Sequence, residues 1–214
     1  PDYIDSYAKW MDDKDEARLY SESQHAGSLG PGRSLSRMID FSKVDHLLDV
    51  AGGTGGLSIR LCEANPNLRV TILDFPNVVG LGKEKVKEAG LSDRITFIGA
   101  NALDYDWPTN VDAVLMSYLY NGVPAESIPQ LAQEAYNVMN PGGLYIVHDF
   151  MVENDRSGPH LAALWQLQHL AFTPTAKSIT PSYVTSVMKD AGFTSINEKV
   201  LIPGMTKVLW GTNL

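Results

Sequence analysis

The sequence predicts an α/β protein with a doubly wound, mostly parallel sheet of seven strands that ends in an antiparallel hairpin. Short apolar runs alternate with segments of helical character along most of the chain, as expected for parallel strands covered by helices on both faces. The first run, Leu47–Val50, leads into a glycine-rich loop, which permits a tight strand-to-helix turn. The last two runs flank Pro203 and Gly204, which is typical of a hairpin.

The N-terminal stretch differs from the rest of the chain. Residues 2–42 are polar and helix-prone, and the glycines and proline at 27–32 predict a turn between helices. We therefore predict a helical lead-in over 1–42 and the main domain over 43–214. The aromatic anchors of the lead-in are Tyr3, Tyr7, Trp10 and Tyr20, and a short helix at Arg33–Ile39 follows the turn.

Strands and helices then alternate, and local signals mark their boundaries. Asn140–Gly143 is a helix stop signal, and the continuous apolar run at Val111–Tyr118 is typical of a strand buried on both faces. The predicted strands are His46–Val50, Arg69–Leu73, Ile95–Gly99, Val111–Tyr118, Leu144–Val147, Ser195–Leu201 and Lys207–Thr212. The predicted helices are Gly56–Ala64, Val78–Ala89, Pro124–Val138, Leu161–Ala171 and Pro181–Asp190.

Composition excludes several classes of function. The 214 residues carry a net charge of −8 and no cluster of basic side chains, which argues against a nucleic-acid partner. No apolar run approaches the roughly 20 residues that span a bilayer, and no secretory signal is visible. We therefore expect no membrane partner and a cytoplasmic location. The single cysteine, Cys62, excludes an internal disulfide and a cysteine-rich zinc site.

Two acids and a glycine loop between them predict a nucleoside-containing cofactor. Asp49 lies at the first strand end just before Gly52, Gly53 and Gly55, and Asp74 ends the second strand. Glycines let a ligand lie against bare main chain. A carboxylate at the second strand end can accept both hydroxyls of a ribose.

The loop fits phosphate-binding patterns poorly. The chain lacks the Gly-Lys-Ser/Thr ending of nucleotide hydrolases, and it meets the dinucleotide fingerprint only at Gly53 and Gly55, with Ser58 replacing the third glycine. Asp49 would repel a pyrophosphate at the helix N-terminus. It suits a cation that carries an amino group and a sulfonium. S-adenosyl-L-methionine (AdoMet) carries both, and we predict it as the cofactor.

At this point the sequence resembles a known family. The segments are LLDVAGGTGGLSIRL, TILDFPNVV, ITFIGANALDYDWP, DAVLMSYLYNGVPAESIPQLAQEAYNVMNPGGLYIVHDFM and TPSYVTSVMKDAGF. They resemble class I AdoMet-dependent methyltransferases, and more narrowly the plant caffeate-type and bacterial polyketide-type small-molecule O-methyltransferases. The resemblance covers roughly Phe41 to the C-terminus. It implies a Rossmann-like methyltransferase fold, a small-molecule acceptor, and a homodimer formed through a helical domain that is not present here.

The resemblance also assigns a cofactor site by position. Asp49 and the loop after it would hold the methionine part, Asp74 would accept the ribose hydroxyls, and Phe75 would lie beside the adenine. Asn101 and Ala102 stand where the family places an Asp-Met pair, and Ser117 stands where many relatives have a lysine. The full predicted cofactor set is Asp49, Ala51, Gly52, Gly53, Gly55, Asp74, Phe75, Asn101, Ala102, Ser117 and Tyr118.

The catalytic positions depart from the family pattern. Asn121 occupies the place of the family's histidine base, while Asp149 matches the acidic helper and Ser178 stands in place of a second acid. Asparagine cannot take a proton, and a positioned base contributes about 10²–10⁴-fold. Either another residue supplies the base, His148 first and His25 second, or the acceptor needs none, as for a sulfur atom. His148 and Asp149 have no recognisable third ligand beside them, so we predict no metal.

Two alternatives remain open at this stage. The departures from the catalytic pattern allow a catalytically inactive, methyltransferase-like module that only binds the cofactor. A nicotinamide-dependent oxidoreductase is disfavoured by Ser58 in the third glycine position and by the terminal hairpin. The acceptor atom is also open: oxygen follows from the resemblance, and sulfur follows from the missing base.

Overall fold

The computed structural model describes residues 6–214, with side chains from residue 9 onward. The predictions for the side chains of Tyr3 and Tyr7 lie outside these residues. The described residues divide into two compact units, which we call the N-terminal unit, Ala8–Pro108, and the C-terminal unit, Thr109–Leu214 with Ser6 and Tyr7.

Three parallel strands form the sheet of the N-terminal unit, in the order β3-β2-β1. Buried aliphatic residues line these strands, as in β1, where Leu47, Leu48 and Val50 are fully buried. The parallel arrangement brings the carboxyl ends of β1 and β2 to one edge, and Asp49 and Asp74 lie there. The elements are α1 Ser6–Met11, α2 Lys14–Met38, β1 His46–Val50, α3 Gly56–Ala64, β2 Arg69–Asp74, α4 Pro76–Glu88 and β3 Ile95–Gly99.

The predicted turn at 27–32 is wrong. Helix α2 runs without interruption from Lys14 to Met38 and contains Pro31. Its N-terminus is capped by Asp13, whose side chain accepts hydrogen bonds from two backbone N–H groups. Gly32 lies against α3, where a Cβ atom would come within 2.9 Å of the Leu57 Cα. The glycine therefore permits close helix packing, and tertiary contact overrides the local preference for a turn.

The C-terminal unit contains four strands in the order β4-β5-β7-β6. Strands β4 and β5 are parallel, whereas β7 pairs antiparallel with both β5 and β6. The terminal antiparallel hairpin is therefore confirmed. The elements are β4 Val111–Ser117, α5 Ser127–Val138, β5 Met139–Phe150, α6 His160–Phe172, α7 Pro181–Asp190, β6 Thr194–Ile202 and β7 Thr206–Thr212.

Strand β5 is longer than the predicted Leu144–Val147. Pairing with β7 continues through His148, Asp149 and Phe150. These residues therefore lie within the strand, and His148 and Asp149 are completely buried. This extension was not predicted, because it depends on backbone hydrogen bonds to residues 206–208, which are distant in the sequence.

The strand order is therefore β3-β2-β1 in the N-terminal unit and β4-β5-β7-β6 in the C-terminal unit, which makes seven strands in the described residues. The predicted fold class, a mostly parallel sheet with alternating helices and an antiparallel C-terminal end, is confirmed. Over residues 6–214, no helix is both long enough and apolar enough to cross a membrane.

Candidate functional site

The loop after β1 bends tightly around the Asp49 side chain. Ala51, Gly53 and Gly55 all adopt left-handed backbone conformations, with φ of 56°, 59° and 80°. A Cβ atom on Gly52 would lie 2.5 Å from the Asp49 carboxyl carbon. Only a residue without a side chain fits beside that carboxylate, so the glycine at this position has a steric cause.

Asp49 is buried, and the two oxygens of its carboxyl group have different environments. Oδ2 accepts a 2.5 Å hydrogen bond from the Ser58 hydroxyl. Oδ1 has no hydrogen-bond partner among the described residues. Burial raises the Asp49 pKa to about 7; the Ser58 hydrogen bond opposes this shift and the charge of Asp74 adds to it. An unpaired carboxylate oxygen in a buried site is an attachment point for a cation or an N–H donor.

Asp74 fastens the glycine loop to the end of β2. Its Oδ2 accepts a 2.7 Å hydrogen bond from the Gly53 N–H, and its Oδ1 accepts one of 2.7 Å from the Phe75 N–H. Burial raises the Asp74 pKa to about 6, while these two hydrogen bonds favour the ionised form. A carboxylate has about four lone-pair sites, so further acceptor capacity remains for hydroxyl donors.

The other predicted cofactor residues of this unit have internal partners. Phe75 packs on a small apolar cluster that includes Met11 and Val78. Asn101 closes a turn, since its amide donates to Asp104 and its carbonyl accepts from the Leu103 N–H. The Ala102 carbonyl accepts a hydrogen bond from Trp107. Their assignment to the cofactor stays a prediction.

His25 supports the glycine loop from helix α2. Its Nδ1 lies 2.7 Å from the Thr54 hydroxyl. Burial is the main cause that lowers the His25 pKa, and the charge of Lys85 lowers it further. Sequence reasoning missed Thr54, and it treated Ser58 only as a mismatch to a glycine, although the Ser58 hydroxyl contacts Asp49.

These features fit AdoMet. The unpaired Asp49 oxygen suits a cationic group, the remaining acceptor capacity of Asp74 suits a ribose, and a Cβ on Gly53 would meet no atom within 4 Å. The loop therefore leaves open space at Gly53 where a ligand can lie against the main chain.

In the C-terminal unit, His148 is held by the end of β4. Its Nδ1 lies 2.8 Å from the Ser117 hydroxyl, and its carbonyl accepts a hydrogen bond from the Tyr118 N–H. The Tyr118 and His148 rings meet edge to face at 4.6 Å. The Nε2 atom has no partner within the described chain. Burial lowers the His148 pKa to about 3, so the ring is neutral near pH 7 and is a weak base.

Asn121 and Asp149 form a buried pair. The Asn121 side-chain amide donates to Asp149 Oδ1 at 2.7 Å and to the Phe150 carbonyl at 2.8 Å. Asp149 also accepts from the backbone N–H groups of Asn121 and Phe150. Burial raises the Asp149 pKa to about 7, and these hydrogen bonds oppose the shift, the Asn121 side chain most strongly. The protein itself thus supplies donors to both oxygens of Asp149.

An aromatic cluster is connected to this pair through Phe150, whose carbonyl accepts from Asn121. Phe150 stacks on Trp165 at 4.4 Å, and Tyr118 contacts both rings. Gln166 fixes helix α6 by donating to the carbonyls of Phe150 and Ile179. Sequence reasoning missed Phe150 and Gln166, because their roles depend on contacts between β5, α6 and the segment that follows α6.

Ser178, which stands in place of the family's second acid, extends the network. Its hydroxyl donates to the Gln166 side-chain carbonyl and accepts from Arg156. Among the residues that the structure describes, no group of three or more His, Cys, Asp or Glu could hold a metal ion.

A mostly parallel sheet with an acid-flanked glycine loop is typical of AdoMet-dependent methyltransferases, and comparison with known proteins agrees. Residues 4–194 match the O-methyltransferase domain family. The chain belongs to this family of AdoMet-dependent enzymes, as the resemblance predicted.

Two curated relatives are named for methylation at different atoms, one at oxygen and one at carbon. The chain is 29% identical over 180 residues to a 3-hydroxy-5-methyl-1-naphthoate 3-O-methyltransferase of Streptomyces sahachiroi, covering 84% of this chain and 52% of the relative. It is 32% identical over 175 residues to an L-tyrosine C(3)-methyltransferase of Streptomyces lavendulae, covering 80% and 48%. The chain thus spans about half the length of the curated relatives that it matches.

A solved structure shows the same fold. Human N-acetylserotonin methyltransferase in complex with SAM aligns with a TM-score of 0.86 at 21% identity, over 97% of this chain and 58% of the human chain.

Proposed function

We propose that this chain binds AdoMet and transfers its methyl group to a small-molecule acceptor. The observation that carries the proposal is a buried Asp49 oxygen that has no hydrogen-bond partner among the described residues, beside a glycine loop that Asp74 holds at the end of β2. When bound, AdoMet supplies a methyl group on a positively charged sulfur.

The residues of the N-terminal unit bind and orient the cofactor in this proposal. Asp49 attracts the cationic part, and its charge becomes fixed when a positive group lies beside it. Asp74 accepts the ribose hydroxyls while it holds the loop. Phe75, Asn101 and Ala102 are the proposed neighbours of the adenine, and Ser117 and Tyr118 are further proposed cofactor contacts.

The acceptor reacts without a strong protein base in this proposal. Asn121 cannot take a proton, and His148 is neutral with a pKa of about 3. His25 is engaged with Thr54. Rate enhancement then comes from holding the nucleophile in line with the methyl group. A sulfur atom or an easily ionised hydroxyl meets this requirement, and the proton of a hydroxyl leaves to water. Oxygen is the favoured acceptor atom in this proposal, because the chain belongs to the O-methyltransferase domain family.

Labelled cofactor tests the function. The protein is incubated with methyl-labelled AdoMet and a small-metabolite extract, and we expect a labelled small molecule. Bound AdoMet without any labelled product would instead support an inactive cofactor-binding module.

The pH dependence of kcat, at saturating cofactor and acceptor, tests the base-free step. For a thioether acceptor we expect a flat profile from pH 6 to pH 9; for a hydroxyl or thiol acceptor we expect kcat to rise with the ionisation of the acceptor itself. In both cases kcat should be nearly unchanged in His148→Ala. A titrating limb that disappears in His148→Ala would make His148 the base.

A cytoplasmic location and a homodimer are also part of the proposal. Cell fractionation tests the location, and sedimentation equilibrium of the protein tests the assembly.

A further inference from the structure

The orientation of the Asn121 amide is fixed by its surroundings. Both partners of Nδ2, Asp149 Oδ1 at 2.7 Å and the Phe150 carbonyl at 2.8 Å, are hydrogen-bond acceptors. An amide turned by 180° would place its oxygen against two other oxygens, which is repulsive. Both amide hydrogens are therefore used inside the protein. Asn121 therefore has no free N–H group to donate to a carboxylate or carbonyl of the acceptor.

The Asn121 carbonyl oxygen is left without a partner. It is buried, and no donor within residues 9–214 reaches it. Because water is shut out as well, the unpaired oxygen is unfavourable until a donor arrives. Donation from Nδ2 to the Asp149 carboxylate polarises the amide and makes this oxygen a better acceptor.

The aromatic cluster next to Asn121 adds a second unpaired group of opposite polarity. Phe150, whose carbonyl anchors Asn121, stacks on Trp165. The Trp165 indole Nε1 is also buried and has no partner in the described part of the chain. An indole N–H can only donate, whereas the Asn121 oxygen can only accept. Asn121, Phe150 and Trp165 therefore combine flat apolar rings with a free acceptor and a free donor.

We propose that Asn121 is a specificity-determining residue that accepts a hydrogen bond from an O–H, S–H or N–H group of a planar aromatic acceptor. This inference rests on the proposed function. In this proposal the donor group of the acceptor reaches the Asn121 oxygen, and its ring packs against the rings of Tyr118, Phe150 and Trp165. A carboxylate or carbonyl at the same point meets oxygen against oxygen and is rejected.

Matched pairs of aromatic probes test the proposal. The pairs are phenol and anisole, naphthol and methoxynaphthalene, and thiophenol and thioanisole, so that each pair differs only in the donor hydrogen and a methyl group. Affinities are measured by ligand-observed NMR with saturating S-adenosylhomocysteine, which prevents turnover. For at least one pair we expect the hydrogen-bearing probe to bind about tenfold more tightly, as for one hydrogen bond to a buried acceptor.

Two variants test whether Asn121 causes the tighter binding of the hydrogen-bearing probes. Asn121→Leu has a similar shape but no acceptor, and we expect the preference to fall to about onefold. Asn121→Ser can donate to Asp149 while its oxygen still accepts, and we expect part of the preference to return. Thermal melting shows whether each variant is folded. If Asn121→Leu does not fold, the wild-type pairs and Asn121→Ser decide.

The proposal is overturned if no hydrogen-bearing probe binds more tightly than its methylated partner, including the case in which no probe binds, or if the preference survives in Asn121→Leu. Calorimetry with AdoMet is run in parallel. Intact AdoMet binding and a labelled product would then leave the proposed function standing, whereas loss of AdoMet binding by the wild type would remove the proposed function itself.

Discussion

Asp49 and Asp149 are both buried, and burial raises the pKa of each to about 7. Their hydrogen bonds differ. Asp49 accepts one from Ser58 and keeps one oxygen unpaired, whereas donors from Asn121 and Phe150 surround Asp149. We therefore propose different roles for the two side chains, set by the number of donors that the fold supplies to each. In this proposal Asp49 binds a ligand, whereas Asp149 orients Asn121.

The strongest test of this contrast compares Asp49→Asn with Asp149→Asn. We expect Asp49→Asn to lower the affinity for AdoMet by about a hundredfold, since a buried hydrogen bond to a charged partner is lost. Asp149→Asn should change the affinity by less than about threefold. Calorimetric titration of the two variants measures both values. Equal losses in the two variants would contradict the division of functions.

Asp49 and Asp149 should also differ in how their replacement changes the free energy of unfolding. A folded-state pKa raised above the unfolded value of 3.8 adds stability at low pH that is lost as the pH rises through the folded pKa. Stability of the unliganded chain should therefore fall between pH 4 and pH 7, and less so in Asp49→Asn.

At pH 8 we expect the free energy of unfolding of Asp49→Asn to exceed that of Asp149→Asn by about 2 kcal/mol, because the amide at position 149 places an N–H group against the backbone N–H of Asn121. Urea unfolding provides the measurement, and the reverse order would contradict the assignment.

The glycine loop offers a steric test. A methyl group on Gly52 would lie 2.5 Å from the Asp49 carboxyl carbon, so Gly52→Ala displaces the carboxylate, and we expect AdoMet affinity to fall about tenfold. Gly80→Ala is the matched control, because a Cβ there meets no atom within 4 Å. Binding and thermal melting are measured for both variants. An unchanged affinity in Gly52→Ala would show that AdoMet binding does not depend on the position of the Asp49 carboxylate.

The smallest expected effect is the change of AdoMet affinity with pH. A bound cation lowers the Asp49 pKa from about 7, so binding of AdoMet weakens where Asp49 becomes protonated. We expect a roughly fourfold loss of affinity from pH 8 to pH 6.5. Asp49→Asn should lose this dependence, and Asp149→Asn should keep it. Titrations at several pH values in one buffer series test the prediction, and a dependence that persists in Asp49→Asn would assign it to another group.

Sequence reasoning predicted the strands and the acid-flanked loop well, because they depend on local signals. The apolar run Val111–Tyr118 and the glycines after Asp49 are visible in the sequence itself. Helix α2 was predicted wrongly at 27–32, since its continuity depends on packing against α3.

The polarity of Asn121 was also beyond sequence reasoning. It depends on a carboxylate and a carbonyl in β5, almost thirty positions further along the chain. Ser58 shows the same limit, because its contact with Asp49 requires the helix after the loop to fold back over β1.

The carbonyl of Phe150 accepts hydrogen bonds from both Asn121 and Gln166. It is a main-chain atom, so no substitution at position 150 that keeps the strand can remove it. Natural variation can therefore exchange the aromatic rings without losing the backbone anchor that orients Asn121. A protein engineer who wishes to change the accepted molecule would do well to redesign Trp165 and Tyr118 first, and to leave the two amides tied to this backbone oxygen.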